Sequence, residues 1–220
     1  MGIPRIISDW QYHTLEQRNP SADSFDKYTK EPPSSRPETE LTGAQGVIAR
    51  TRMLRVLGTI ADLTSAVNPC SYTGIIRVDH ILKEAAESIP YPLQSKPTTA
   101  SLTDSPQVIV AHLFIQHMFF KGQVIIHRRF CYKQTSSENE RDYGYSRKTC
   151  IDVSIGTLEI QHVLDEETRP GGQFHTMRWR ATSIMNHQFL IATMLLCSLL
   201  YSGRSIEREM RFGLHCKEPG

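Results

Sequence analysis

Apolar residues in this chain fall at helical spacing in five stretches, and each stretch predicts a helix. Over 43–67, Val47, Leu54, Leu57, Ala61 and Thr64 share one face, which leaves Arg50, Arg52, Arg55 and Asp62 for solvent. Thr42, followed three residues later by Gln45, has the form of a capping box at its start. Over 74–88 the stripe is Val78, Leu82, Ala85 and Ile89, and Pro90 stops it because proline cannot extend the hydrogen-bond ladder. The stretch 107–129 is apolar around most of its circumference, with Val108, Leu113, Ile115, Met118, Phe119 and Ile126 pointing several ways, which suits a helix at the centre of a bundle. Taken singly, 108–110 and 124–126 also suit buried strands, but no turn signal lies between them, and one long helix accounts for both. A fourth helix, 146–164, buries Cys150, Val153 or Ser154, Leu158, Gln161 and Leu164 before Arg169-Pro170-Gly171-Gly172 breaks it. A short segment at 174–179 leads into the last apolar helix, 182–201.

The predicted fold class is therefore all-α: an irregular bundle of about five to six helices, preceded by a polar lead-in. Residues 1–42 carry Pro20, Pro32, Pro33 and Pro37 among Ser, Asp and Glu. Such a stretch buries too little apolar area to offset its ordering entropy, so it is expected to be extended or partly disordered. The domain division that follows is lead-in 1–42, helical domain 43–202 and a charged tail 203–220. No period of repeat length runs through the chain.

A formal net charge of +2 is too small to draw the chain onto nucleic acid by charge alone. Five cysteines, Cys70, Cys131, Cys150, Cys197 and Cys216, are far more widely spaced than thiolate zinc ligands and read as reduced, buried thiols. No charged and apolar leader opens the chain, which points to an intracellular protein. The most apolar run, 189–201, is shorter than the ~20 residues that cross a bilayer, so no membrane span is expected.

Complete catalytic motifs are lacking. His112 and His117 lie five apart and do not stack on one helical face, and no His-Glu-x-x-His signature occurs. Cys150 lies near a predicted helix start, where the dipole favours a thiolate, but its register turns it toward the core and no His-acid pair serves it. Gly171-Gly172 follows a helix and is a stop signal. His127, Arg128 and Arg129, with Arg147 and Lys148 after the next loop, form a candidate basic patch for an acidic partner segment or an effector. The alternative is that these cations complement the C-terminal end of the central helix. Trp179 is expected to pack inward while Arg178 and Arg180 reach outward.

Several of these pieces recur in a familiar order. Pro32-Pro33 to Thr42 precedes the helices, and the apolar run from His117 ends in His127-Arg128-Arg129-Phe130. Tyr145-Ser146-Arg147-Lys148-Thr149-Cys150 follows, then Pro170-Gly171-Gly172 with Arg178-Trp179, then Asn186-His187-Gln188-Phe189-Leu190. Over 32–201 this order resembles the middle homology region of fungal zinc-cluster transcription factors. Two departures stand out: Arg129 replaces the family's usual proline, so the central helix is expected to run on, and the six-cysteine zinc cluster is absent from this sequence.

The resemblance implies a non-catalytic regulatory domain of a fungal-type transcription factor, located in the nucleus, and a truncated copy of a domain that continues further in the family. It implies protein partners in the transcription machinery or a homodimer, with no direct nucleic-acid contact, no cofactor of its own and room for a small effector. The alternatives are a helical module that binds an apolar ligand, with Phe114, Met118, Phe119 and Phe120 lining a pocket, or a degenerate fragment. An enzyme is the remotest class, and would need Cys150 or His187 in a cleft beside an acid.

Overall fold

The computed structural model describes residues 11–94 apart from 12, 29 and 69, then 104–132, 143–179 and 186–215, with side chains as far as 202. Among these residues there are five long helices and no strand: α1 (Gln45–Ser65), α2 (Tyr72–Glu87), α3 (Pro106–His127), α4 (Gly144–Glu167) and α5 (Asn186–His215). Three single 3-10 turns join them, at Ala22–Ser24, Tyr91–Leu93 and His175–Met177. The chain divides into two compact units, Met1–Gly122 and Gln123–Gly220, and the division falls within α3.

In the first unit, α1 packs against α2. The face that α1 buries carries Ile48, Ala49, Met53 and Ile60, whereas Val47 and Leu54 are exposed. This corrects the expected stripe by about one residue. Val47, Ile48, Leu54 and Leu57 put apolar groups on both sides of the helix, so periodicity alone does not choose between them. The capping box is not formed either: Thr42 Oγ1 accepts from the Ala44 N–H at 3.2 Å, and the buried Gln45 side chain instead donates to the carbonyl of Glu38. In α2, Ser71 caps the first turn by accepting the Gly74 N–H at 3.2 Å, and Val78, Leu82 and Ile89 are buried as their spacing requires.

The described part of the lead-in, 11–42, carries the 3-10 turn at Ala22–Ser24 and is tied to α1 by polar groups. Asn19 is buried; its N–H donates to Ser35 Oγ at 3.0 Å and its amide to the Pro37 carbonyl at 3.1 Å, while Thr42 donates to its oxygen. Arg52 was expected to face solvent, yet its side chain is only 18% exposed. Its guanidinium donates to both oxygens of Glu16 at 2.8 and 2.9 Å, to Glu38 at 2.6 Å and to the carbonyl of Ser88. This planar fork spans three segments distant in sequence, which a point charge on a lysine would not do. The pairing holds the Glu16 carboxyl below its usual range, chiefly through the hydrogen bond from Arg52.

By length and composition α3 is apolar enough to cross a membrane, the same property that marks the core helix of a soluble protein. Buried His112 on this helix donates from Nε2 to the Pro92 carbonyl at 2.7 Å. Gly122 lets α3 approach α2 closely, since a Cβ there would lie 2.7 Å from Leu82 Cδ2. No proline stops α3, yet it ends at His127, where the Phe130 N–H turns back to the His127 carbonyl at 2.9 Å. The expected run to residue 129 is thus two residues too long.

In the second unit, α4 packs against α5. Cys150, Val153, Ser154, Thr157, Ile160 and Leu164 recur at three- and four-residue steps on the buried face of α4, and Phe189, Ala192 and Leu195 on that of α5. The α4 face is rich in small side chains, which permits close helix approach, and the Thr157 hydroxyl is satisfied by the Val153 carbonyl at 2.7 Å. The helix stop is built by the glycine pair. Gly171 has φ +92, and a Cβ on Gly172 would run into the carbonyl of Glu167. That carbonyl accepts the Phe174 N–H at 2.8 Å, and Glu167 Oε2 accepts the Gln173 N–H at 3.0 Å, so the chain folds back and buries Phe174. Phe174 takes the inward place expected of Trp179, which is 71% exposed. The last helix continues to His215 instead of ending near Tyr201, because its charged residues, with no proline among them, are good helix formers. The expected start of that helix at 182–185, Arg180, Trp10, most of the loops at 95–103 and 133–142, and Cys216 lie outside the described residues.

Burial in α3, followed by the nearby Lys121 ammonium, pulls the His117 pKa down to about 4. The folded value is below the unfolded one, so between about pH 6.5 and pH 4 the unfolded chain binds a proton that the folded chain does not. Stability is therefore full above this window and falls as pH drops through it. Urea unfolding should show a loss of about 2 kcal/mol between pH 7 and pH 5 that His117→Leu removes.

Candidate functional site

The residues singled out at the end of the central helix meet those at the start of α4. His127 is fully buried, with Nδ1 2.9 Å from Ser146 Oγ, and its ring stands edge-on to Tyr145 with centroids 5.4 Å apart. Cys131, in the turn four residues beyond His127, lies against Cys150, one helical step beyond Ser146, with sulfurs 2.6 Å apart. Arg147 Nε donates to the Cys131 carbonyl at 3.3 Å, and the Phe130 and Tyr143 rings pack with centroids 5.3 Å apart.

This placement takes His127 out of the basic patch. A ring with no exposed surface, hydrogen-bonded to a serine, is part of the interior and offers nothing to a partner. Arg128 is half-buried, while Arg129, Arg147 and Lys148 are exposed. Residues that sequence reasoning passed over, Ser146, Tyr145 and Cys131, complete the joint. Their signal was the equal spacing of His127-x-x-x-Cys131 and Ser146-x-x-x-Cys150, which acquires meaning only once the two segments are known to touch.

The two thiols are electrostatically unlike. The hydrogen bond between the two sulfurs, aided by the charge of Arg147, lowers the Cys131 pKa against the opposing effect of burial. The same hydrogen bond and burial raise that of Cys150. Cys150 sits two turns into α4, too deep to gain from the helix N-terminus, and is not in a cleft. His187, the other residue considered for catalysis, is exposed at the start of α5.

In the first unit a cleft of about 340 Å³ is lined by Lys83, Ala86, Glu87, Gln94 and Phe119. Of the four side chains expected to form an apolar pocket, only Phe119 reaches it, and Met118 is buried. Among the described residues no three His, Cys, Asp or Glu groups are placed to share a metal ion. Among the described residues one pair of cysteines adjoins, Cys131 and Cys150, and it offers two thiolates where a structural zinc takes four ligands.

The chain is 34% identical to the Zn(2)-C6 fungal-type transcription factor mpsB of Macrophomina phaseolina over 89% of its own length. It is homologous to a segment of fungal Zn(2)-C6 transcription factors. The equisetin cluster transcription factor eqxF of Fusarium heterosporum is also 34% identical, over 96% of the chain, and the Zn(2)-C6 fungal-type transcription factor pigI of Monascus ruber 34% over 91%. The chain spans 26%, 30% and 24% of the lengths of these three relatives. No protein-family model and no solved structure matches it. Two of the five motifs on which the resemblance rests, His127 to Phe130 and Tyr145 to Cys150, meet at the joint.

Leaving His127 buried without its hydroxyl partner costs about 2 kcal/mol, the penalty of an unmet buried polar group. Ser146→Ala should therefore lower the urea midpoint accordingly. In a double-mutant cycle with His127→Leu, the two losses should be less than additive by about 1 kcal/mol.

Proposed function

We propose that this chain is a regulatory, non-catalytic segment of a pathway-specific fungal transcription factor, acting in the nucleus through contacts with other proteins. The observation that carries the reading is 34% identity along 89–96% of the chain to proteins named as transcription factors, of which one is named for the equisetin cluster. The sequence has no six-cysteine cluster, so in this proposal DNA recognition is not performed by these residues, and the segment needs no cofactor of its own. Its partners are components of the transcription machinery or a second copy of the chain, and a small effector is admitted as a modulator.

Arg128, Arg129, Arg147 and Lys148, gathered near one joint, are the contacts proposed for an acidic partner segment, with His127 as their internal support. A helical surface of this kind regulates by restraining an activation region until a partner or effector shifts the balance. The competing idea of an apolar-ligand module has less support, since the cleft in the first unit is open and lined by Lys83, Glu87 and Gln94 as well as Phe119.

The test is a fungal reporter strain in which the chain is placed between a heterologous DNA-binding domain and a strong activation domain. Compared with a flexible linker of equal length, the chain should lower reporter output about fivefold or more, and Arg129→Glu combined with Arg147→Glu should relieve much of that restraint. Output equal to that of the linker, with the fusion protein present at the same level, would contradict the reading.

A further inference from the structure

Cys131 and Cys150 are the one pair of thiols among the described residues in sulfur-to-sulfur contact, and nothing in the regulatory reading uses them. Their sulfurs are in contact at 2.6 Å, and both side chains are buried. One follows the end of α3 and the other lies in α4, so a bond between them would lock the joint that His127 and Ser146 form. We propose that Cys131 and Cys150 are a modification site, at which a hydroperoxide converts the two thiols into a reversible disulfide.

The chemistry balances with the hydroperoxide as sole oxidant. The Cys131 thiolate attacks the peroxide oxygen, the O–O bond breaks, and Cys131 becomes a sulfenic acid as an alcohol or water leaves. The Cys150 sulfur then attacks the Cys131 sulfur, the S–S bond forms, the S–O bond breaks and water departs with the Cys150 proton. Two electrons pass from the sulfurs to the peroxide, and a dithiol reductant returns them.

The surroundings divide these roles. The hydrogen bond between the two sulfurs and the positive charge of Arg147 lower the Cys131 pKa, so Cys131 is the more readily ionised and attacks first. Cys150 keeps its proton longer and serves as the resolving thiol. Of the other cysteines, Cys197 is exposed and Cys70 half-buried, and neither lies against a second sulfur; both are candidates for simple oxidation without pairing. Burial makes the reaction dependent on local opening at the joint, so the pair responds to sustained oxidant more than to a brief pulse.

The test uses the full chain with Cys70, Cys197 and Cys216 replaced by Ser, and its helical content checked by circular dichroism. Dilute hydrogen peroxide should remove two hydrogen atoms from the intact mass, and peptide mapping should recover a linked peptide pair containing Cys131 and Cys150, which dithiothreitol releases. In buffer the linked pair should outnumber chains carrying a Cys131 sulfinic acid by at least about tenfold, because the folded chain holds the resolving sulfur beside the sulfenic acid. In the additional Cys150→Ser variant, a sulfenic acid at Cys131 should be trapped by dimedone. An absent linkage, or oxidation that proceeds to sulfinic acid without pairing, would overturn the proposal. The regulatory reading is unaffected by any of these results, since the reporter assay measures it separately.

Discussion

The second unit depends on a buried imidazole meeting a serine hydroxyl. His127 has no exposed surface, and an unpartnered ring nitrogen there would cost about as much as several tenths of the margin by which a small domain is stable. Ser146 meets that need at 2.9 Å, and once it does so the direction in which α4 leaves the joint is set. The contact between Cys131 and Cys150, the Arg147 bond to the Cys131 carbonyl and the pairing of Tyr143 with Phe130 and of Tyr145 with His127 gather around the same joint.

At its other end α4 is held just as firmly. The fold-back at Gly171-Gly172 returns the chain to Glu167, whose carbonyl and carboxylate both accept backbone N–H groups, and Phe174 closes over the turn. With both ends fixed, the small-residue face of α4 is presented to Phe189, Ala192 and Leu195 of α5. The motifs that carry the likeness to Zn(2)-C6 regulators are therefore chiefly devices of construction. They leave Arg129, Arg147 and Lys148 exposed around the joint, the cations to which the proposed regulatory reading assigns partner contact.

The five helices were legible in the sequence because their apolar spacing is regular and because Pro90 and Pro170-Gly171-Gly172 mark stops that local chemistry enforces. Where apolar groups lie on two sides, as at Val47 and Ile48 of α1, the pattern left the buried face undecided. The lead-in shows a different limit. Asn19 and Arg52 are tied to residues far away in sequence, and no local rule announces which buried asparagine or arginine will find such partners. His127 misled for a related reason, since a histidine at a helix end is read as a cation until a neighbour such as Ser146 shows that it is enclosed.

Native-state hydrogen exchange measures this account most directly at the joint itself. The amides of Arg128 and Phe130, which donate to the carbonyls of Val124 and His127, should exchange with the same opening free energy as the middle of α4. Exchange of those two amides at the rate of an open loop, while α4 and α5 stay protected, would show that the second unit holds together without the joint and would contradict the claim.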